Sequence, residues 1–282
     1  MAIADWTVLI AYLVGTVLLG VILGRLVKNS SDMFSAGGTS PWWASGLSAF
    51  MTMFSANTFV VWGSIAFDVG MVAVMINLMY GVAALLVGVF VAGRWKGMGI
   101  ETPAEYVRLR FGKGALHFYT WSMMVLRVVG TAAALYALAK ILVALMPLDE
   151  GNMLRDPETG NLSLRWAILI FGSVVVLYTM IGGLWAVLMT DVLQFIILNL
   201  AVLFVVPLAL HQVGGLGGFI EAAPEGFFDL VKEEKYSVFF LAGWAAIHFF
   251  MIGAEWAFVQ RFLCVPTKKD ARKSTFLFAA LY

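Results

Sequence analysis

Long apolar runs separated by short polar stretches dominate the chain. Most of these runs are about 20 residues long, which is the length at which an α-helix crosses the hydrocarbon core of a bilayer. A transmembrane β-barrel would instead show alternating segments of ~10 residues. The pattern therefore predicts seven membrane-spanning helices and the start of an eighth, at about residues 6–26, 43–66, 70–93, 115–146, 164–185, 190–213, 237–260 and 272–282.

The composition supports an all-α integral membrane protein. Of the 282 residues, 62% are hydrophobic and only 12% are charged, whereas a soluble domain of this size needs many more charged residues on its surface. The net charge of +1 gives no electrostatic footprint for nucleic acid. The single cysteine, Cys264, excludes an intrachain disulfide and a cysteine-built metal site, and we expect it to act as a small apolar filler.

The distribution of basic residues predicts the orientation in the membrane. Most Lys and Arg residues fall in the loops after the first, third and seventh predicted spans, and cytoplasmic loops are enriched in these residues. We therefore expect the N-terminus to lie outside an inner (plasma) membrane and residues 101–112 to form an amphipathic cytoplasmic segment. The eighth apolar run stops at Tyr282, so we expect residues 1–282 to be one membrane domain that is incomplete at its C-terminus.

A polar insert interrupts the second predicted span, in the stretch SAFMTMFSANTFVVWGS at 48–64. If the helix unwinds at Ser55, Asn57 and Thr58, the backbone carbonyls near Met51 and Phe54 lose their helical partners. Broken membrane helices use such carbonyls to coordinate small cations. The alternative is that Ser55 and Thr58 bond back to the preceding turn and bend an ordinary helix.

Two later spans carry polar groups at membrane depth. Asn77 and Tyr80 share one face of the third span and could hydrogen-bond a polar solute, although Asn77 could equally bond a neighbouring helix. His248 in the seventh span could serve a solute or a proton, or it could be a packing histidine. Glu255, seven residues further on, could pair with Arg261.

The stretch IGGLWAVLMTDVLQ at 181–194 joins the fifth and sixth predicted spans. Its two glycines favour a helix break, after which Thr190 could cap the next helix and Asp191 could interact with its dipole. A role for Asp191 in a cation path is the alternative. The chain shows no Ser/His/Asp arrangement, metal-ligand spacing or phosphate-binding glycine loop, so we expect no enzymatic activity and no cofactor.

Three collinear motifs resemble those of the sodium:solute symporters, the relatives of the sodium/glucose cotransporters. They are MFSAGGTSPWWASGLSAFMTMFSANTF, GGLWAVLMTDVLQFIILN and QRFLCVPTKKDARKS, and they extend from about residue 33 to 274. The resemblance implies a LeuT-type inverted-repeat transporter fold. The chain would hold one leading helix, the first five-helix repeat and the start of the second. It also implies alternating-access symport of a small polar or organic solute, with sodium as the coupling ion.

The resemblance further implies roles for individual residues. The carbonyls of Met51 and Phe54 would bind sodium, and Asp191 would lie on the inner path of the ion. At five positions that bind the sugar in sugar-transporting members, this chain has a different residue. We therefore do not expect it to bind a hexose in the way those members do. The five residues here are Thr58, Asn77, His248, Met251 and Tyr282. The expected solute-facing residues are Ser55, Thr58, Asn77, Tyr80, His248 and Met251.

Two other functions remain open from the sequence. Some symporter relatives are fused to histidine kinases, so the chain could be a solute-sensing module. A proton-coupled carrier that uses His248 as the proton site is the other. The expected partners are the solute, sodium and the lipid bilayer, and the sequence does not indicate an oligomeric state.

Overall fold

The computed structural model describes residues 3–25, 27–55, 58–232 and 235–282, and these residues are helical apart from loops and three isolated β-bridges. Short 3₁₀ and π-type turns occur at Ala36–Gly38, Thr58–Trp62 and Gly88–Ala92. The α-helices are α1 (Ile3–Gly24), α2 (Ser30–Ser35), α3 (Trp42–Met53), α4 (Gly63–Val69), α5 (Val72–Val87), α6 (Gly93–Gly97), α7 (Pro103–Leu145), α8 (Leu164–Gln212), α9 (Gly215–Ala222), α10 (Val238–Ala254), α11 (Trp256–Leu263) and α12 (Lys268–Ala280).

Several helices have the length and composition needed to cross a membrane. In the described part of the chain there are four such stretches: Asp5–Gly24, Val72–Gly97, Pro103–Leu145 and Leu164–Gln212. A fifth results if α10 and α11 are joined, although they are bent by 56° at Glu255. The protein is therefore an integral membrane protein.

Two of these helices are too long for one crossing. With 43 and 49 residues, α7 and α8 would measure about 65 and 74 Å as straight helices, against a hydrocarbon core of about 30 Å. Each contains a glycine with positive φ, Gly112 at 84° and Gly183 at 55°, which only glycine adopts readily. These glycines break the two helices.

The break at Gly183 shows that our capping interpretation of Thr190 and Asp191 is wrong. Both residues lie about two turns beyond the glycine, inside a continuous helical stretch. Their side chains are therefore not at the first turn, where free N–H groups need a capping acceptor. Thr190 is instead fully packed, with 2% of its surface exposed.

The chain divides into two compact units. The first comprises the described residues of 1–37 and 101–187 together with Ser55. Its core lies where the end of α7 and the first half of α8 meet α1. Buried Ala139 of α7 and Phe171 of α8 pack there against half-buried Trp6, Leu9 and Leu13.

The second unit comprises residues 38–54, 58–100 and the described part of 188–282. Here α5 packs against α10 and α12, and α12 also packs against α3. The approach of α12 to α3 is close at Gly46, where an added Cβ would lie 2.6 Å from the carbonyl oxygen of Ser274. Buried Val72, Ile76 and Leu241 form a core between α5 and α10.

Candidate functional site

The helix that carries the polar insert is broken rather than bent. Helix α3 ends at Met53, Phe54 is extended (φ −85°, ψ 124°), and helical structure resumes with a π-type turn at Thr58. This confirms the predicted interruption at the residues that the structure describes. Asn57, which we included in the polar insert, lies outside the described residues.

The end of α3 changes the hydrogen bonding of its last carbonyls. The N–H of Phe54 donates to the carbonyl oxygen of Met51 at 3.1 Å, where a continuous helix would use the N–H of Ser55. A carbonyl oxygen has two acceptor positions, so this bond leaves one for another ligand. The C-terminal end of a helix also carries partial negative charge, which favours a cation. The carbonyls of Met51 and Phe54 remain predicted sodium ligands.

A cavity of about 160 Å³ lies beside the break, within the second unit. Three of the expected solute-facing residues line it, Thr58, Asn77 and Tyr80. The amide of Asn77 bonds back within its own helix, because Nδ2 donates to the carbonyl oxygen of Ala73 at 2.8 Å, and its Oδ1 can still accept from a ligand. The other lining residues are largely aromatic or apolar: Phe50, Met53, Phe54, Trp62, Leu281 and Tyr282.

An aromatic cluster supports one wall of this cavity. Tyr80 stacks on Tyr282 with ring centroids 5.3 Å apart, and its other neighbours include Trp62 at 6.1 Å. His248 lies against Tyr80 with a centroid distance of 4.1 Å, and its Nδ1 donates to the carbonyl oxygen of Trp244 at 2.8 Å. His248 therefore supports Tyr80 and does not line the cavity itself.

The remaining two solute-facing candidates lie elsewhere. Ser55 lines a larger, mostly apolar cavity of about 860 Å³ in the first unit, together with residues of α7 and α8. Met251 is in the last turn of α10, where its carbonyl oxygen accepts the N–H of Glu255 at 2.9 Å. Neither residue lines the 160 Å³ cavity.

Asp191 belongs to a buried polar network, which we call the Asp191 network and which consists of Ser48, Asp191 and Arg261. The Ser48 hydroxyl donates to Oδ2 of Asp191 at 2.5 Å and accepts from Nε of Arg261 at 3.1 Å. Nη2 of Arg261 lies 3.6 Å from the same Oδ2. The two charged side chains are only 8% and 16% exposed, so this is a buried ion pair.

Contacts within α11 and with α3 hold Arg261 in place. Its Nη1 donates to the carbonyl oxygen of Ala257 at 2.9 Å, and its own carbonyl oxygen accepts the Ser45 hydroxyl at 2.7 Å. Cys264 is fully buried beside it, as expected for a filler, and burial raises the pKa of its thiol. Nζ of Lys96 also donates to the carbonyl oxygen of Leu263 at 2.9 Å. The network thus joins α3, α8 and α11.

Sequence reasoning found Asp191 but missed both of its partners. We considered Glu255 as the partner of Arg261, whereas the guanidinium contacts Asp191 and Ser48. A lone arginine at the end of an apolar span signals that some acid is near, but it does not say which one. No cluster of three or more His, Cys, Asp and Glu side chains suited to a metal ion occurs in the part of the chain that the structure describes.

Comparison with solved structures identifies the fold. A solved structure of a Na⁺-coupled sialic acid symporter, in a substrate-bound outward-open state, matches 99% of this chain and 57% of that one, with a TM-score of 0.83 and 23% sequence identity. The match shows the fold, and the expected all-helical, LeuT-type architecture is confirmed.

Curated relatives agree with the fold. The sodium/sialic acid symporter NanT of Aliivibrio fischeri is 27% identical over 263 residues, covering 92% of this chain and 48% of that protein. The sodium/glucose cotransporter of Vibrio parahaemolyticus is 25% identical over 274 residues, covering 90% and 47%. The chain thus spans about half the length of these relatives. The model of the sodium:solute symporter family matches residues 33–281, and the chain therefore belongs to that family.

Proposed function

We propose that the protein carries out sodium-coupled secondary active symport of a small polar or organic solute by alternating access. The observation that carries the proposal is the broken helix α3 beside a cavity that exposes Thr58, Asn77 and Tyr80. Hydrogen-bonding groups around an interruption at membrane depth are costly unless they bind something. Broken helices are also where secondary transporters hold ions and solutes. Family membership supports the same function.

The proposed sodium ligands are the carbonyl oxygens of Met51 and Phe54, at the end of α3. The proposed solute contacts are the hydroxyls of Thr58 and Tyr80 and the free amide groups of Asn77. Because ion and solute would lie on opposite sides of one short backbone break, the binding of either would order the other's site. Such linkage is reciprocal, so solute must raise the affinity for sodium as much as sodium raises that for solute.

Asp191 is the proposed acid on the inner path of the ion. In the Asp191 network its charge is already balanced by Arg261, and Ser48 lies one turn before Met51 on α3. We propose that the network holds the inner half of α3 in place. A cation leaving the broken helix would pass a carboxylate that Arg261 has partly neutralised, so it would not be trapped there.

The energetics are sufficient for accumulation. One positive charge moving inward across ~100 mV releases about 2.3 kcal/mol. The sodium concentration gradient adds to this, and about 1.4 kcal/mol concentrates a solute tenfold.

We further propose that the protein lies in an inner (plasma) membrane with its N-terminus outside. The proton-coupled alternative is less well supported, because His248 is packed behind Tyr80.

A sodium titration tests the proposal. Purified protein is titrated with sodium chloride at constant ionic strength, with potassium as the replacement, and intrinsic tryptophan fluorescence is followed with and without a solute found by thermal-shift screening. We expect saturation by sodium but not potassium, and a lower half-saturating sodium concentration with solute. Asp191→Ala should raise that concentration, whereas Asp68→Ala on the exposed surface of α4 should not. Equal responses to both cations would overturn the proposal.

A further inference from the structure

The first part of α7 cannot lie in the hydrocarbon core. The helix is broken at Gly112, whose φ of 84° and ψ of −176° redirect the backbone. Residues 113–145 after the break are already numerous enough to cross ~30 Å of hydrocarbon, since an α-helix needs only about 20 residues to do so. The part before the break, Pro103–Phe111, must therefore lie at or beyond the membrane surface.

The end of this part exposes cationic and apolar side chains in turn. Every residue from Arg108 to Gly114 is exposed. Leu109 and Phe111 have 66% and 65% of their surface exposed, and they alternate with Arg108 and Arg110. Phe111 meets the Tyr106 ring edge to face, at a centroid distance of 6.4 Å. We call residues 108–113 the basic–apolar segment.

The cations of this segment are largely unneutralised. Glu105 lies 3.8 Å from Nη2 of Arg108, but an exposed pair of this kind contributes little. Glu105 also accepts the N–H of Glu101 at 3.0 Å, which ties it to the start of the helix. The side chains of Arg110 and Lys113 form no hydrogen bond or ion pair with any other residue that the structure describes. The segment therefore presents positive charge outward.

This combination matches the chemistry of a lipid surface rather than of free water. Basic side chains just outside a membrane span attract anionic headgroups, and apolar side chains beside them enter the boundary between headgroups and acyl chains. Free phosphate would use the cations but not Leu109 or Phe111. We propose that the basic–apolar segment is a binding site for anionic phospholipid headgroups, with Arg108, Arg110 and Lys113 as the charged contacts.

Native mass spectrometry and melting in nanodiscs test this site. The full chain is placed in discs of phosphatidylcholine or of a phosphatidylcholine–phosphatidylglycerol mixture. We expect phosphatidylglycerol to be retained preferentially and to raise the melting temperature. A variant with Arg108→Gln, Arg110→Gln and Lys113→Gln should bind it on the order of a hundredfold more weakly, at about fivefold per cation. The matched variant with Arg108→Lys and Arg110→Lys should retain binding.

Three results would overturn the proposal. One is unchanged phosphatidylglycerol retention in the triple glutamine variant. Another is binding that high salt does not weaken, because exposed charges are screened beyond about 10 Å at 0.1 M salt. The third is equal protection by soluble glycerol phosphate, which would identify a simple anion site. If the triple variant does not fold, Arg110→Gln and Lys113→Gln are tested one at a time. Each should lose part of the phosphatidylglycerol binding, and unchanged binding in both would overturn the proposal.

Discussion

Removing the Arg261 guanidinium should strongly destabilise the protein through the carboxylate that it leaves behind. Arg261→Met keeps the length of the side chain. Among the residues that the structure describes, it leaves Asp191, whose side chain is 16% exposed, with the hydroxyl of Ser48 as its one side-chain partner. Removing one partner of a buried ion pair costs about 3–5 kcal/mol. The lost bond to the carbonyl of Ala257 adds about 1 kcal/mol. We therefore expect a loss of about 4–6 kcal/mol in the free energy of unfolding.

A double variant separates the energy of the Asp191–Arg261 interaction from the effects of losing each side chain alone. In Arg261→Met with Asp191→Asn no uncompensated charge is buried, so the double variant should be more stable than the sum of the two single losses predicts. Residues in one network show coupling energies of about 0.5–3 kcal/mol. Because Ser48 bridges both side chains, we expect a value in the upper half of this range.

The assay is chemical unfolding in a mild detergent, followed by circular dichroism. The chain provides a matched control in the exposed pair Glu105–Arg108, whose side chains are 33% and 53% exposed at a distance of 3.8 Å. Arg108→Met should cost no more than about 1 kcal/mol. A loss for Arg261→Met no larger than that for this control, or an additive double-mutant cycle with Asp191→Asn, would show that the buried ion pair does not stabilise the protein.

Three further predictions concern the cavity, the helix packing and the cysteine. Asn77→Asp puts a carboxylate into the wall of the 160 Å³ cavity. In thermal-shift screening, the variant should therefore be stabilised more by an ammonium compound than by a neutral amide of the same size, whereas the unchanged protein should prefer the amide. An unchanged order of the two compounds would contradict the position of Asn77 in the cavity wall. Gly46→Ala should lower the free energy of unfolding by about 1–3 kcal/mol, because its Cβ would meet the carbonyl of Ser274, whereas Gly63→Ala, with open space around it, should not; equal effects would argue against this packing of α3 on α12. Because burial raises the pKa of the Cys264 thiol, maleimide labelling should be slow near neutral pH and fast after unfolding, and rapid labelling of the folded protein would show that the thiol is accessible.

Sequence patterns were most informative where a single physical rule dominates. Runs of apolar residues identified a helical membrane protein. The polar insert at Ser55 and Thr58 identified the interruption after Met53, because unsatisfied polar groups are costly at membrane depth. Glycine pairs marked the break at Gly183 but not the conformation around it. The capping interpretation of Asp191 failed because local patterns do not show where a helix restarts after a break.

Contacts between distant segments were beyond the reach of sequence patterns. Asn77 and Tyr80 could be placed together because they lie on one helix face, and Thr58 joined them only through the resemblance. The partnership of Ser48, Asp191 and Arg261 joins residues that are up to 213 positions apart. No periodicity encodes such a contact; it follows from the packing of α3, α8 and α11.

Uptake driven by a sodium gradient tests the central claim most directly. The protein is reconstituted in proteoliposomes, and entry of the labelled solute is measured with an inward sodium gradient, with an inward potassium gradient of equal size, and with sodium equal on both sides. We predict transient accumulation above equilibrium only with the inward sodium gradient, and loss of accumulation when sodium is equalised. Accumulation that is the same with potassium, or that follows a pH gradient without sodium, would contradict sodium-coupled symport.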